Sequence, residues 1–211
     1  MPYGGGSTLT DPRVHWFKPE HWARITHFHI FGQMYILQQQ FGSLFSGSHL
    51  GALIPNVSKI TLTLRYTDWW NWESNAPIAP LARTQFFPLP RVGLPDSVTT
   101  MVVQFESREG KLSELNAAVA EMFVPGGTPF KGVNAVWQWH RRDGRALSVK
   151  GSCAEGDGVR TWKWDGPTSL GDGQKYRHHG EGETMVYVVK EVTWQLDAEQ
   201  GPAAGVVDPS E

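Results

Sequence analysis

Three short apolar runs, beginning near residues 25, 58 and 98 and so 33 and 40 residues apart, constrain this chain more than any other feature of its sequence. Each is too short and too rich in β-branched and aromatic residues for a helix. The spacing is the span that a crossover needs to bring one strand back parallel to the last. The first run, residues 24–31, is bulky on both faces and reads as a strand covered on both sides. The second, 57–66, alternates, with Ile60, Leu62, Leu64 and Tyr66 on one face and Thr61, Thr63 and Arg65 on the other. The third, 98–106, follows a leucine-proline lead, Leu94-Pro95, as the second follows Leu53-Ile54-Pro55.

Between and after the runs, helical spacing predicts three helices. Pro19 sets a short one over 19–23, since proline is tolerated in a first turn. Met34, Leu37, Phe41, Leu44 and Phe45 predict a second within 33–45, and Leu112, Leu115, Ala118, Val119, Met122 and Phe123 a third within 111–123. Residues 75–95 hold too many prolines for a long helix. From Val133 the texture becomes that of hairpins: runs at 136–140 and 146–150 flank Asp143-Gly144, a dipeptide suited to a two-residue turn. Further strands are expected at 159–164 and 184–196. Trp137 with Trp139, Trp162 with Trp164, and Trp194 are expected to build one aromatic face. The fold expected is therefore α/β to α+β, a mixed sheet with three strand/helix units followed by C-terminal antiparallel hairpins. One domain over 15–196 is expected between a flexible lead at 1–14 and a disordered tail at 197–211.

Composition excludes several functions. With 19 basic and 21 acidic residues and no block of like charge, the chain lacks the footprint of a nucleic-acid binder. A lone Cys153 excludes an intrachain disulfide and a cysteine-based metal cluster. No secretory signal and no long apolar stretch are visible, so no membrane is expected and the localisation expected is cytoplasmic. His27 and His29 share a strand face, but no third ligand follows at a patterned spacing, so no metal is expected. Gly4-Gly5-Gly6-Ser7 and Gly171-Asp172-Gly173 are not strand-to-helix phosphate loops, no Gly-x-Ser-x-Gly elbow occurs, and no cofactor is expected. His178-His179-Gly180-Glu181 lies in a glycine-rich loop that reads as a mobile polar lid.

The chemistry gathers where the second run ends, in Arg65-Tyr66-Thr67-Asp68-Trp69-Trp70-Asn71-Trp72-Glu73. In parallel sheets ligands bind beyond the carboxyl ends of the strands. Those ends carry His29 and Gln33, then Arg65, Asp68, Trp70 and Trp72, then Glu106. A carboxyl set in an aromatic wall is pushed toward its protonated form and can serve as general acid or base. Asp68 and Glu106 are therefore the candidate catalytic groups, Arg65 and His29 the polar anchors, and Trp70 and Trp72 the walls. The bland counterpart is an ion pair from Arg65 to a carboxylate, closing the strand ends over a tryptophan corner.

Residues 62–73, with Glu106-Ser107, Lys111-Leu112 and the closing Val192-Thr193-Trp194, resemble a family of uncharacterised fungal proteins common in mushrooms, some of which carry an F-box ahead of a comparable region. The resemblance spans about residues 22–196. It implies an intracellular mixed α/β domain and brings no catalytic residue. Nothing before His15 is long enough for an F-box, so a stand-alone domain is expected rather than a ubiquitin-ligase adaptor. The partner expected is a small apolar or aromatic ligand in a tryptophan-lined cleft, bound and converted by cofactor-independent cyclase, isomerase or lyase chemistry. The alternative is a non-catalytic protein-interaction module related to F-box-associated domains, whose partner is a protein. A closed apolar pocket favours the first and a continuous exposed aromatic patch the second.

Overall fold

The computed structural model describes residues 18–34, 54–78, 93–123, 138–149, 158–170 and 173–196. The expectations for the lead, the tail, most of the 33–45 helix, Trp137 and Cys153 lie outside them. The first described element is a single helical turn, α1 (Pro19–Trp22), started by proline as expected. Three strands follow, β1 (His27–Phe31), β2 (Lys59–Leu64) and β3 (Thr100–Arg108), and they lie side by side and parallel. Next come α2 (Leu112–Ala120), extended at each end by a 3₁₀ turn, the hairpin β4 (Gln138–His140) and β5 (Ala146–Val149), and β6 (Val159–Pro167). A two-stranded ribbon, β7 (Ser169–Leu170) and β8 (Gln174–Lys175), precedes β9 (Thr184–Leu196).

The sheet is mixed, with order β1-β2-β3-β9-β5-β4. At 13 residues β9 is long enough to pair antiparallel with β3 along one edge and with two strands along the other: β6 up to Val192, and β5 from Trp194 onward. This is an α+β arrangement, a parallel half joined to an antiparallel half through one strand. Among the described residues no helix is long and apolar enough to cross a membrane.

Alternation along the strands decides the two sides of the sheet. Leu62, Leu64, Val103, Phe105, Val192 and Trp194 face one way and are buried with Leu115 and Val119 of α2. Trp139 joins this core, its ring edge-on to Trp194 with centroids 6.1 Å apart. Trp162 and Trp164 stand on the other side, 37% and 41% exposed, so the tryptophans divide between the two faces rather than forming one.

β1 also departs from expectation. His27, His29 and Phe31 are exposed and only Phe28 and Ile30 are partly buried, because β1 pairs with β2 alone among the described residues. Imidazoles are bulky yet polar, and here their Nε2 atoms meet Thr61 and Thr63 hydroxyls at 2.8 and 2.7 Å. The turn between β4 and β5 is longer than two residues. Arg141 donates its N–H to Arg145 O at 2.9 Å, and Gly144 takes the left-handed φ of 80° that closes a three-residue loop.

Candidate functional site

The carboxyl end of β2 is shaped by one carboxylate. Asp68 Oδ2 accepts the Arg65 N–H at 2.9 Å and Arg65 Nε at 3.0 Å, while Oδ1 accepts Nη2 at 3.3 Å. Only 4% of Asp68 is exposed, and these bonds close the 3₁₀ turn Tyr66–Asp68. Beyond it Asn71 and Asn75 both adopt left-handed φ, 54° and 57°, and bracket a second 3₁₀ turn, Trp72–Ser74. Asparagine is among the few residues that tolerate this conformation. The reversals send consecutive tryptophans in different directions. Trp69 turns inward against Phe105 and donates its indole N–H to Glu106 O at 2.7 Å. Trp70 stays 48% exposed. Trp72 packs against Tyr66 and Tyr176, with centroids 5.6 and 4.9 Å away.

These rings surround a cavity of about 80 Å³ on the helix-covered side of the sheet. Trp69, Trp70, Trp72, Met34 and Ile78 make it mainly apolar, and Ser107 and Lys111 add polar groups. Ser107 is 1% exposed and its hydroxyl has no hydrogen-bond partner. Lys111, also buried, is fully engaged: its ammonium donates to Asn75 O at 3.2 Å, to Ala76 O, and to Glu114 Oε2 at 3.4 Å. Glu114 Oε2 in turn accepts the Ile78 N–H at 2.6 Å, so one ion pair ties the segment after the tryptophans to the start of α2. A second, more polar hollow of about 280 Å³ runs along the outer side of the turn, past Gln33, Thr67, Asp68 and Glu73.

Glu106 lies across β3 from Ser107, on the opposite side of the sheet. Its two oxygens accept the Tyr66 N–H at 3.1 Å and the Trp164 indole N–H at 3.2 Å. Burial pushes its carboxyl above the usual value, against the pull of those two donors and of Arg65. Trp164 stacks on Tyr187 at 4.7 Å, and the bare backbone of Gly166 leaves room for both rings. On the same side Arg65 sits over Phe31, 5.8 Å from its centroid, and Phe31 stacks on His29 at 4.2 Å. A polar row crosses this face: His29 Nε2 meets Thr63 Oγ1, Thr63 donates to Gln104 Oε1 at 2.6 Å, and Gln104 Nε2 donates to Glu191 Oε2 at 2.9 Å. Because the Thr63 proton is committed to Gln104, His29 is the donor to Thr63, the Nε2–H tautomer.

The histidine loop is docked rather than free. Tyr66 Oη lies 2.5 Å from His178 Nε2 and 3.1 Å from His179 Nε2, and buried His179 points Nδ1 at Thr168 O, 2.6 Å away. A carbonyl only accepts, so Nδ1 of His179 carries the hydrogen. In the neutral ring Nε2 then accepts from Tyr66, leaving His178 to donate to the phenol oxygen. Arg108 adds a bond to His178 O at 2.9 Å and one to Asn75 Oδ1 at 2.6 Å. Burial pushes the Tyr66 hydroxyl up to about 12. Burial, with His179, Arg108 and Lys111 nearby, lowers His178 below 6.5. A lowered folded value means that the unfolded chain takes up the proton first. The contribution of His178 is therefore present above pH 6.5 and is lost as pH falls through the folded value. An NMR titration of His178 is expected to give a midpoint below 6.5 in the native protein, rising toward that value when Tyr66→Phe loosens the loop. A native midpoint at or above 6.5 would contradict this account.

The residues proposed from sequence thus fall into two neighbourhoods. Trp70 and Trp72 line the cavity, Asp68 and Arg65 hold the turn above it, and His29 and Glu106 belong to the opposite face. Ser107 and Lys111 entered the sequence reading only through the family resemblance, Tyr66 only as the end of an alternating strand and His178 only as part of the expected lid; none was given a role in the site. Ser107 had a signal, since alternation puts a lone hydroxyl in line with Met101, Val103 and Phe105. Among the described residues no three His, Cys, Asp or Glu side chains converge as a metal centre. No protein-family model matches the chain, and no curated protein or solved structure is significantly similar to it.

Proposed function

We propose that this domain binds a small apolar or aromatic molecule in the cavity formed by Trp69, Trp70 and Trp72. The observation that carries the reading is an apolar hollow of about 80 Å³, walled by indole rings at the carboxyl ends of parallel strands, with Ser107 and Lys111 as the polar residues of its wall. Such a combination of concave apolar wall and few polar groups is characteristic of ligand sites. Conversion of the ligand by cyclase, isomerase or lyase chemistry is the finer form of the reading. It falls to Glu106, since Asp68 is engaged by Arg65, and Glu106 reaches a ligand only from the far side of β3. Binding is therefore the function the geometry supports best.

The second reading, a protein-interaction module of the fungal F-box-associated kind, draws on the exposure of Phe31, 56%, together with Trp162 and Trp164 on the open face. These do not make one continuous apolar patch, because the polar row of Thr63, Gln104 and Glu191 runs between β1 and β6. Mass spectrometry of molecules retained from a fungal extract separates the two. A small apolar or aromatic compound is expected from the native chain and is expected to be missing from the Trp70→Ala, Trp72→Ala double variant. Identical small-molecule profiles from both chains would refute the cavity reading.

A further inference from the structure

We infer that residues 176–179 form an acid-released latch on the cavity: docked, the loop holds the Trp72 wall in place, and protonation of its histidine pair frees it and weakens ligand binding. The inference rests on the cavity being a ligand site and adds how that site is regulated. The latch turns on one phenol between two imidazoles. Tyr66 Oη lies 2.5 Å from His178 Nε2 and 3.1 Å from His179 Nε2, and the two nitrogens play different parts. His179 commits its Nδ1–H to Thr168 O at 2.6 Å, so its Nε2 accepts the Tyr66 proton while His178 donates to Oη. One added proton is accommodated. His179 becomes the donor to Oη, and the phenol turns its own proton to His178 Nε2, whose remaining hydrogen moves to Nδ1. A second proton is not accommodated. Both Nε2 atoms are then donors, and the hydroxyl proton of Tyr66, a residue 2% exposed, is left without an acceptor.

The loop backs the cavity wall. The Trp72 ring, which lines the cavity, packs against Tyr66, Tyr176 and His179 with centroids 5.6, 4.9 and 6.5 Å away. Arg108 spans from His178 O at 2.9 Å to Asn75 Oδ1 at 2.6 Å, and Asn75 leads directly into Ala76, Pro77 and Ile78 of the same wall. Release of the loop therefore removes two of the rings that hold Trp72 and one end of the Arg108 bridge. The surrounding charges favour release in acid. Arg108, at the end of β3, and Lys111, in the 3₁₀ turn before α2, oppose a proton on His178. Lys111 is paired with Glu114, whereas Arg108 meets only a carbonyl and an amide oxygen among the described residues, so no carboxylate cancels its charge. Arg177, on the loop itself, adds a further positive charge. Glu73 is the acid that acts on the Tyr66 hydroxyl, Tyr176 and Tyr187 are its neighbouring phenols, and Glu106 is bonded to the Tyr66 backbone N–H. Released into water, the pair binds two protons in acid where the docked pair holds at most one. Release thus takes up protons, and it grows as pH falls through the lowered value of His178, below 6.5.

The test titrates propylbenzene, a small apolar probe, into the full chain at about pH 7.5 and about pH 5, either side of the imidazole range, with tryptophan indole N–H resonances as the readout. The native Kd is expected to rise about fivefold or more in acid, the low end of coupling between linked sites. In the His178→Gln, His179→Gln double variant the amides still donate to and accept from Tyr66 but take up no proton. Its Kd should match the native value at the higher pH and change by less than about twofold in acid, well under that coupling. A native Kd that does not move with pH overturns the latch. Equal weakening in both chains overturns it too, since the acid-sensitive group then lies elsewhere. If propylbenzene binds at neither pH, the ligand-site reading falls as well; if it binds equally at both, only the latch falls. Should the double variant fail to fold, Tyr66→Phe keeps the ring in the cavity wall and removes the hydroxyl, and its Kd is expected at the weak, acid-form value at both pH values. A Tyr66→Phe chain that binds as tightly as native at the higher pH and still weakens in acid overturns the assignment.

Discussion

Trp194→Ala is expected to lower the free energy of unfolding by about 3–5 kcal/mol, the range for removing a large aromatic side chain from a packed core. Trp194 has no exposed surface, lies opposite Met101 on one side of β9 and Val149 on the other, and meets Trp139 edge-on. It therefore sits where the parallel and antiparallel halves of the sheet join, flanked by a strand on each side. Domains of this kind hold only about 5–15 kcal/mol in reserve, so the variant should be close to unfolded at modest urea concentrations. Trp194→Phe, which keeps a ring and leaves a smaller void, should lose clearly less. A loss below about 1.5 kcal/mol for the alanine variant would show that β5 and α2 collapse onto the gap, and the join would then be less rigid than described.

Lys111→Met is expected to cost about 3 kcal/mol, although methionine fits the space and is the more apolar side chain. Replacing both members of a buried ion pair by apolar groups is often neutral, because the partners vanish together. Here they do not. The Asn75 and Ala76 carbonyls and the Glu114 carboxylate remain after the ammonium is gone, and Glu114 still has to hold the Ile78 N–H. Because Glu114 is partly exposed, water relieves some of its loss, and the carbonyls carry most of the cost. The same change loosens Ala76, Pro77 and Ile78, which form one wall of the cavity, so weaker binding of a small apolar probe such as propylbenzene should accompany the lower stability. Urea denaturation and a propylbenzene titration followed by tryptophan fluorescence measure the two effects. An unchanged midpoint together with unchanged binding would mean that the Lys111 bonds contribute nothing net.

Much of the fold was legible because its strands advertise themselves in two different ways. β2 and β3 carry the apolar alternation of a sheet with one packed face, and the 33- and 40-residue spacing that implied parallel neighbours corresponds to the observed pairing of β1, β2 and β3. α2 has a stripe of Leu115, Ala118 and Val119 that could only face a core. β1 misled because histidine and phenylalanine count as bulk in a pattern but can stand in solvent on an edge strand. The candidate site was half legible. The tryptophan turn stood out by composition, yet period-two alternation sends Glu106 and Ser107 to opposite faces, and chemistry inspected along the sequence picked the carboxylate over the hydroxyl.

What the sequence determined by itself was local and periodic: which segments extend, which coils into a helix, and that a tryptophan cluster follows the end of the second strand. The partners of the polar groups were decided only in three dimensions, because hydrogen bonds between residues 35 to 113 positions apart depend on the sheet order and the loop docking that bring them within reach. Trp69 with Glu106 O, Tyr66 with His178 and His179, and Lys111 with Asn75 and Ala76 are all pairs of that kind. The tertiary structure also decided which polar group was left over. Asp68, conspicuous in the sequence, is fully engaged with Arg65, whereas Ser107, inconspicuous there, is buried in the cavity wall with an unmade bond.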